Sequence, residues 1–227
     1  ILPFNFNKNK SILFLQYPIN QLNDKPIDKH IQFFDLYINN INNYQELGYN
    51  YILNYVTNKL DIDKLNNMDS FGYQLLQKPL EALNIVFPHS ELEKSIEDGN
   101  LTKLNKIDIQ DLVGKNAMTR LMKYKETANP KSRYDYEFRD KSMEKENMFL
   151  YKNIGKYSVK IKSILDNIID SQGPIIIYSQ FIDGGLIPMA LALESMGFLR
   201  YGNNKSLFKN APVEPLDILS YKSRSEA

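Results

Sequence analysis

The sequence predicts an α/β fold in which a mostly helical region precedes a strand–loop–helix unit. Three observations predict it. Ile175-Ile176-Ile177-Tyr178 is a continuous β-branched run of the kind found in a parallel strand covered on both faces. Helical patterns flank it, one from Tyr157 to Asp170 and one from about Leu186 to Met196. Upstream, apolar residues recur at three- and four-residue steps, the period of a helix with one buried face. The domain division that follows is 1–150 as a largely helical region and 151–227 as the start of an α/β domain.

Taken in order, Ser11 to Tyr17 is a short apolar run stopped by Pro18 and reads as a buried strand. Asp24-Lys25-Pro26 reads as a turn. From Ile27 to about Leu60, Phe34, Tyr37, Ile38, Ile41, Tyr44, Tyr51, Ile52 and Tyr55 mark one long amphipathic helix, or two broken near Gly48. Its many Asn residues weaken helix propensity, so packing must hold it. A second helix is expected from Ser70 to about Leu83, ended or kinked by Pro79. Ile85-Val86-Phe87 suggests a short strand. Ser90 to Ile96 suggests a short helix, with Ser90 as cap and Glu93 three residues on.

Asn129 to Lys145, with Pro130 and mixed-sign charges, reads as a surface loop. The helix from Tyr157 carries Ile161, Ile164, Leu165 and Ile168 on one face, is capped by Ser158 and is broken by Gly173-Pro174. The last helix has Pro188 in its first turn and Gly197 at its end.

Composition excludes several classes. Of 227 residues, 43% are apolar and 24% charged, as in an ordinary globular chain able to bury a core. No apolar run approaches the roughly 20 residues of a membrane-spanning helix, so no membrane partner is expected. There is no cysteine, hence no disulfide, thiolate metal site or cysteine nucleophile. His30 and His89 lie far apart, without partners at metal or triad spacing, and no metal site is expected. The carboxylate pairs Asp61/Asp63 and Glu91/Glu93 sit in polar stretches where solvated pairs are expected. There is no Gly-x-Ser-x-Gly elbow, and no catalytic residue is assigned. Net charge is +1, so bulk charge does not indicate nucleic acid. Asn, Ile, Lys and Tyr abound while Trp is absent, a bias that matches A/T-rich codons.

Two segments have binding chemistry. Ser179-Gln180-Phe181-Ile182-Asp183-Gly184-Gly185 leaves the carboxyl end of the expected strand, where open α/β sheets place ligands. There Ser179 and Gln180 can hydrogen-bond a phosphodiester, while Gly184 and Gly185 allow close backbone approach. A plainer reading is that the glycines only make the turn and Ser179 only caps the strand. The loop lacks the spaced glycines and Gly-Lys-Ser/Thr end of a Walker A loop. The second segment carries Lys115, Arg120, Lys123 and Lys125 beside Tyr124 and Arg133. It reads either as a surface that tracks a phosphate backbone with one stacking ring, or as a solvated helix face over Met118, Leu121 and Met122.

The blocks Ile154-Gly155-Lys156-Tyr157-Ser158, Lys160 to Ile164, and Ile175 through Tyr178-Ser179-Gln180-Phe181-Ile182-Asp183-Gly184-Gly185 to Glu194 resemble the superfamily-two helicases of nucleocytoplasmic large DNA viruses, which are related to the poxvirus early-transcription-factor ATPase. Tyr17-Pro18, Gln21-Leu22-Asn23, Leu112-Val113-Gly114-Lys115, Arg120 to Tyr124 and the stretch from Gly197-Phe198 to Tyr201-Gly202 agree with this. The most specific block is Ile177 to Gly185.

The resemblance implies an ATP-dependent motor acting on DNA or RNA in viral transcription or replication, located in the virion or the cytoplasmic viral factory. The chain would then be a fragment: a helical insertion followed by the opening of an incomplete RecA-like second lobe. Tyr178 to Phe181 would correspond to the fourth helicase motif, which faces the nucleic-acid backbone. Ser179 and Gln180 are carried over to that role, with Gly184 and Gly185 forming the loop and Lys115, Arg120 and Lys123 as further contacts. ATP and magnesium would act in the parent. The phosphate-binding loop, the acidic magnesium motif and the arginine finger are absent from this sequence, so the chain alone is expected neither to bind ATP tightly nor to hydrolyse it. Two other readings are a non-catalytic helical module in a transcription complex, using the Tyr-rich face from Phe34 to Tyr55, and an α/β enzyme holding a phosphorylated metabolite at Ser179.

Overall fold

A computed structural model describes residues 4–6, 13–15, 37–58, 68–98, 104, 107–126, 134–171, 173–200 and 206–212. The chain divides into two compact units, Ile1–Ile38 and Asn39–Ala227. In the first, β1 (Phe4–Phe6) pairs antiparallel with β2 (Leu13–Leu15), with Phe4 opposite Leu15 and Phe6 opposite Leu13. β2 is the strand expected within Ser11 to Tyr17. The turn at Asp24 to Pro26 lies outside the described residues.

The second unit is mostly helical. Its first helix, α1, is Asn43–Asn58, and residues 37–42 before it are not helical. The earlier part of the expected helix, residues 27–36, lies outside the described residues. Asn42 starts α1: its Oδ1 accepts the Gln45 N–H at 3.0 Å. No break occurs at Gly48, which is buried in mid-helix. A Cβ there would come within 2.8 Å of Val86 Cγ1, so glycine serves the close approach of α1 to the chain at Val86.

Helix α2 (Met68–Asn84) runs past Pro79, which neither ends it nor sits at its end. The lost backbone bond is outweighed by packing of the last turns, where Ala82 is fully buried. Ile85, Val86 and Phe87 are fully buried but form no strand. They are a connector whose amides bond in two directions, Val86 N–H to the Tyr157 carbonyl at 3.0 Å and Phe87 N–H to that of Leu112 at 2.8 Å. Helix α3 (Ser90–Asp98) is capped one residue earlier than expected: His89 Nδ1 accepts the Glu91 N–H at 3.2 Å.

Next come α4 (Gly114–Leu121), β3 (Met122–Glu126), β4 (Tyr134–Phe138) and α5 (Lys141–Lys145). The surface loop expected over Asn129 to Lys145 is therefore corrected over residues 134–145, and residues 129–133 lie outside the described residues. Its centre is a strand, because Tyr134, Tyr136 and Phe138 alternate with Asp135 and Glu137, the two-residue period of a half-buried strand. β4 pairs antiparallel with β3, with Met122 opposite Phe138 and Tyr124 opposite Tyr136. Residues 207–209 lie against its other edge: Tyr136 N–H donates to the Leu207 carbonyl at 2.7 Å and Lys209 N–H to that of Tyr136 at 2.9 Å. The rings of Phe138, Phe149 and Phe208 close the core beneath, with centroids 6.1–6.4 Å apart.

A helical turn, α6 (Ile154–Tyr157), leads into α7 (Val159–Asp170). Ser158 caps α7 as expected, its Oγ accepting the Ile161 N–H at 3.0 Å and donating to the Asn84 carbonyl at 2.5 Å. Ile161 and Leu165 are the buried face. α7 ends where Ser171 turns to extended backbone, φ −91° and ψ 147°, two residues before Gly173, whose φ is +91°.

The expected strand at Ile175 to Tyr178 is not present. No described strand pairs with it, and Ile175, Ile176 and Tyr178 are 45%, 96% and 88% exposed. A buried parallel strand needs a neighbour on each edge and a helix on each face. Among the described residues this run has neither strand neighbour. A π-helical turn (Ile182–Leu186) joins it to α8 (Ile187–Glu194), where Pro188 occupies the first turn, and Gly197 follows with φ of +97°. The described fold is thus mainly helical with two small antiparallel hairpins, and no described helix is long and apolar enough to cross a membrane. Residues on both sides of position 150 share one core, as at Tyr44 and Tyr157, whose rings meet edge to face at 5.2 Å.

Candidate nucleic-acid interface

The segment Ile177 to Phe181 forms one wall of a cavity of about 250 Å³. Lys160, Ile161 and Ile164 of α7, Met189 of α8 and Asn84 at the end of α2 line it as well. The cavity is lined mainly by apolar side chains, with its polar groups gathered at Ser179, Gln180, Asn84 and Lys160.

Each of the sequence-predicted loop residues has a definite place here. Ser179 is half-buried and its Oγ accepts the Phe181 N–H at 3.1 Å, which leaves the hydroxyl hydrogen to donate. Gln180 is exposed. Gly184 and Gly185 are buried in the π-helical turn. A Cβ on Gly185 would collide with the Ser179 hydroxyl oxygen, and one on Gly184 would lie 3.4 Å from Glu81 Cγ. The glycines therefore permit a tight chain reversal under Ser179 rather than presenting backbone at the surface.

The basic cluster is split by the fold. Lys115 and Lys123 are exposed, on α4 and β3. Arg120 turns inward: its Nη2 donates to the Asp111 carbonyl at 3.1 Å and to the Pro88 carbonyl. Burial lowers its pKa from the ordinary arginine value, with Asp111 opposing the shift. Arg120 thus ties α4 to the start of α3. Lys123 lies opposite Glu137 across the hairpin, and Glu137 pairs with Lys209 at 3.0 Å. Hydrogen bonding and charge from Lys209 hold the Glu137 carboxyl below its ordinary range. Tyr124 packs on Tyr136, with ring centroids 5.5 Å apart. Arg133 lies outside the described residues.

Sequence reasoning missed the side chain that links the loop to α4. Glu81 is buried, pairs with Lys78 at 3.1 Å and accepts from Gln77 Nε2 at 3.0 Å. Gly114 has φ of +69°, and a Cβ there would lie 2.6 Å from Glu81 Oε2. Glu81 therefore packs against both Gly184 and the first residue of α4, the residue that precedes Lys115. Sequence reasoning also missed Lys160, whose Nζ donates to Asn84 Oδ1 at 2.7 Å. One signal was readable: a lysine so soon after the Ser158 cap stands in a first helical turn, where the helix dipole disfavours a cation.

His89 caps α3, and burial together with the Arg120 charge lowers its pKa from the ordinary histidine value. His30 lies outside the described residues. Among the described residues no group of three or more His, Asp or Glu side chains is placed to hold a metal ion. No family model, curated protein or solved structure matches the chain.

Proposed function

We propose that the chain is part of an ATP-dependent helicase or translocase of a large DNA virus, acting in transcription or replication, and that it contacts single-stranded DNA or RNA at the Ser179–Gly185 loop. The observation that carries this reading is the cavity itself. Ser179 and Gln180, from the block most specific to the resemblance, line it together with Lys160, which supplies a positive charge. A hydroxyl, an amide and an ammonium brought to one cavity suit a backbone phosphate.

The exposed Ile175 to Tyr178 run also supports a RecA-like second lobe. A β-branched segment this apolar and this exposed is what a sheet strand presents when its neighbours come from sequence outside the chain. ATP and magnesium, in the complete motor, supply phosphoryl transfer to water. The residues of this chain bind and orient nucleic acid. The alternative of a helical interaction module has less support, because Tyr44 is buried and Tyr51 and Tyr55 pack against the core.

The direct test is fluorescence anisotropy of a labelled single-stranded oligonucleotide across a salt series. Binding is expected to weaken steadily with salt, and further with the Ser179→Ala/Gln180→Ala pair, whereas a flat salt response overturns the reading. Metal-dependent ATP turnover by the chain alone would contradict its assignment as a non-catalytic part. In the encoding gene, a Walker A loop upstream and a Gln-x-x-Gly-Arg-x-x-Arg segment downstream are expected.

A further inference from the structure

The cavity has a division of chemistry that simple phosphate contact leaves unexplained. Of its lining residues, Lys160 and Gln180 are exposed and Ser179 is half-buried, whereas Ile161 and Met189 are buried. Ile161 and Met189 belong to the core and Ile164 packs against it, so the apolar side of the cavity is continuous with the core. A surface that only tracked phosphates would have no use for an apolar hollow beside the cation.

Lys160 is itself in an unfavourable place. It lies in the first turn after the Ser158 cap, so its ammonium stands at the positive end of α7. Its hydrogen-bond partner is a neutral amide oxygen, that of Asn84, at 2.7 Å. Desolvation lowers its pKa from the ordinary lysine value, with no carboxylate among the described residues raising it. The ion pairs of α7 and α2, Lys162–Asp166 and Lys78–Glu81, use other lysines. An anion beside Lys160 would supply the missing counter-charge.

We propose that this cavity is a single-nucleotide pocket for a strand of nucleic acid, with the base lying on Ile161, Ile164 and Met189 and the adjoining phosphate held by Lys160 and Ser179. At about 250 Å³ it falls just below the roughly 300–1,000 Å³ of pockets for whole drug-sized ligands, a size for one base rather than a dinucleotide. Lys160 is the one cation among the described residues that line the cavity, which matches a single phosphodiester charge. Gln180, exposed and lining the cavity, has both a donor and an acceptor with which to read a base edge. The inference rests on the proposed nucleic-acid function and deepens it from backbone contact to recognition of an unstacked base.

The test uses the full chain, a single-stranded oligonucleotide, and a second strand of equal length in which abasic sites replace the nucleotides, so that backbone charge is unchanged. The base-bearing strand is expected to bind at least about fivefold more tightly, the lower end of what one base on an apolar or aromatic platform contributes. Lys160→Met is expected to weaken both strands and to lower the salt slope by about one, while Lys160→Arg restores it. Lys160 is exposed, so the Met variant is expected to melt like the parent chain.

Equal affinity for the two strands, or an unchanged salt slope in Lys160→Met, overturns the pocket while leaving strand binding by the loop intact. Absence of binding to any strand overturns both readings. Competition by a free nucleoside monophosphate at the same concentration as the oligonucleotide would make the pocket a metabolite site and overturn its assignment to a strand.

Discussion

Three residues show how single side chains set the local geometry. Gly48 lets α1 approach Val86, and Gly48→Ala is expected to destabilise the chain by roughly 1–3 kcal/mol, the usual range for overpacking, read from a denaturant midpoint. Ser158 caps α7 and reaches back to Asn84, so Ser158→Ala removes two interactions and is expected to cost about 1–2 kcal/mol in the same measurement. Glu194 is buried at the end of α8, where its carboxylate accepts the Leu207 N–H at 2.5 and 2.6 Å and the Phe208 N–H at 3.1 Å. Burial raises the Glu194 pKa above its ordinary 4.5, against the lowering effect of those N–H donors and of Arg200. The native state therefore holds this proton more tightly than the unfolded chain does. Its contribution to stability is fully present below the unfolded value and is lost as pH rises through the folded one. The stability of Glu194→Gln relative to the parent should accordingly shift in favour of Gln as pH is raised from 4.5, and a pH-independent difference would contradict the buried, raised carboxyl.

At the scale of elements, legibility followed whether a segment's pattern was satisfied by its own neighbours. α7 is readable because its apolar period and its Ser158 cap both agree with the packing observed. Pro79 misled because propensity says only that a backbone bond is lost, whereas buried Ala82 and Glu81 hold the last turns of α2 in place. The β3–β4 hairpin is hard to read because charge masks the alternation of Tyr134, Tyr136 and Phe138 in the sequence, and the packing of Phe138 on Phe149 and Phe208 that fixes the strand is not local. Phe138→Ala should consequently cost about 3–5 kcal/mol, far more than a loop residue would. The opposite holds for the Ile175 to Tyr178 run. Ile176 is almost wholly exposed, and Ile176→Thr should change stability by less than about 0.5 kcal/mol. A loss of several kcal/mol would restore the buried-strand reading.

At the scale of the whole molecule, the candidate loop is legible in the sequence but its surroundings are not. Ser179, Gln180 and the glycines could be singled out because one local pattern of apolar run, polar turn and helix contains them all. Lys160, Asn84 and Glu81 come from distant positions and reach the same region only after α2, α7 and α8 have packed, which no local pattern encodes. All of them belong to the unit Asn39–Ala227, which has its own core from Tyr44 to Phe208. A unit with a separate core is expected to fold without the rest of the chain. Deleting residues 1–38 should leave a single cooperative thermal transition and an unchanged oligonucleotide affinity, measured by circular dichroism and anisotropy on the same preparation. Loss of the transition would mean that the core of residues 39–227 depends on the first hairpin. A retained transition with lost binding would place part of the nucleic-acid contact in that hairpin instead.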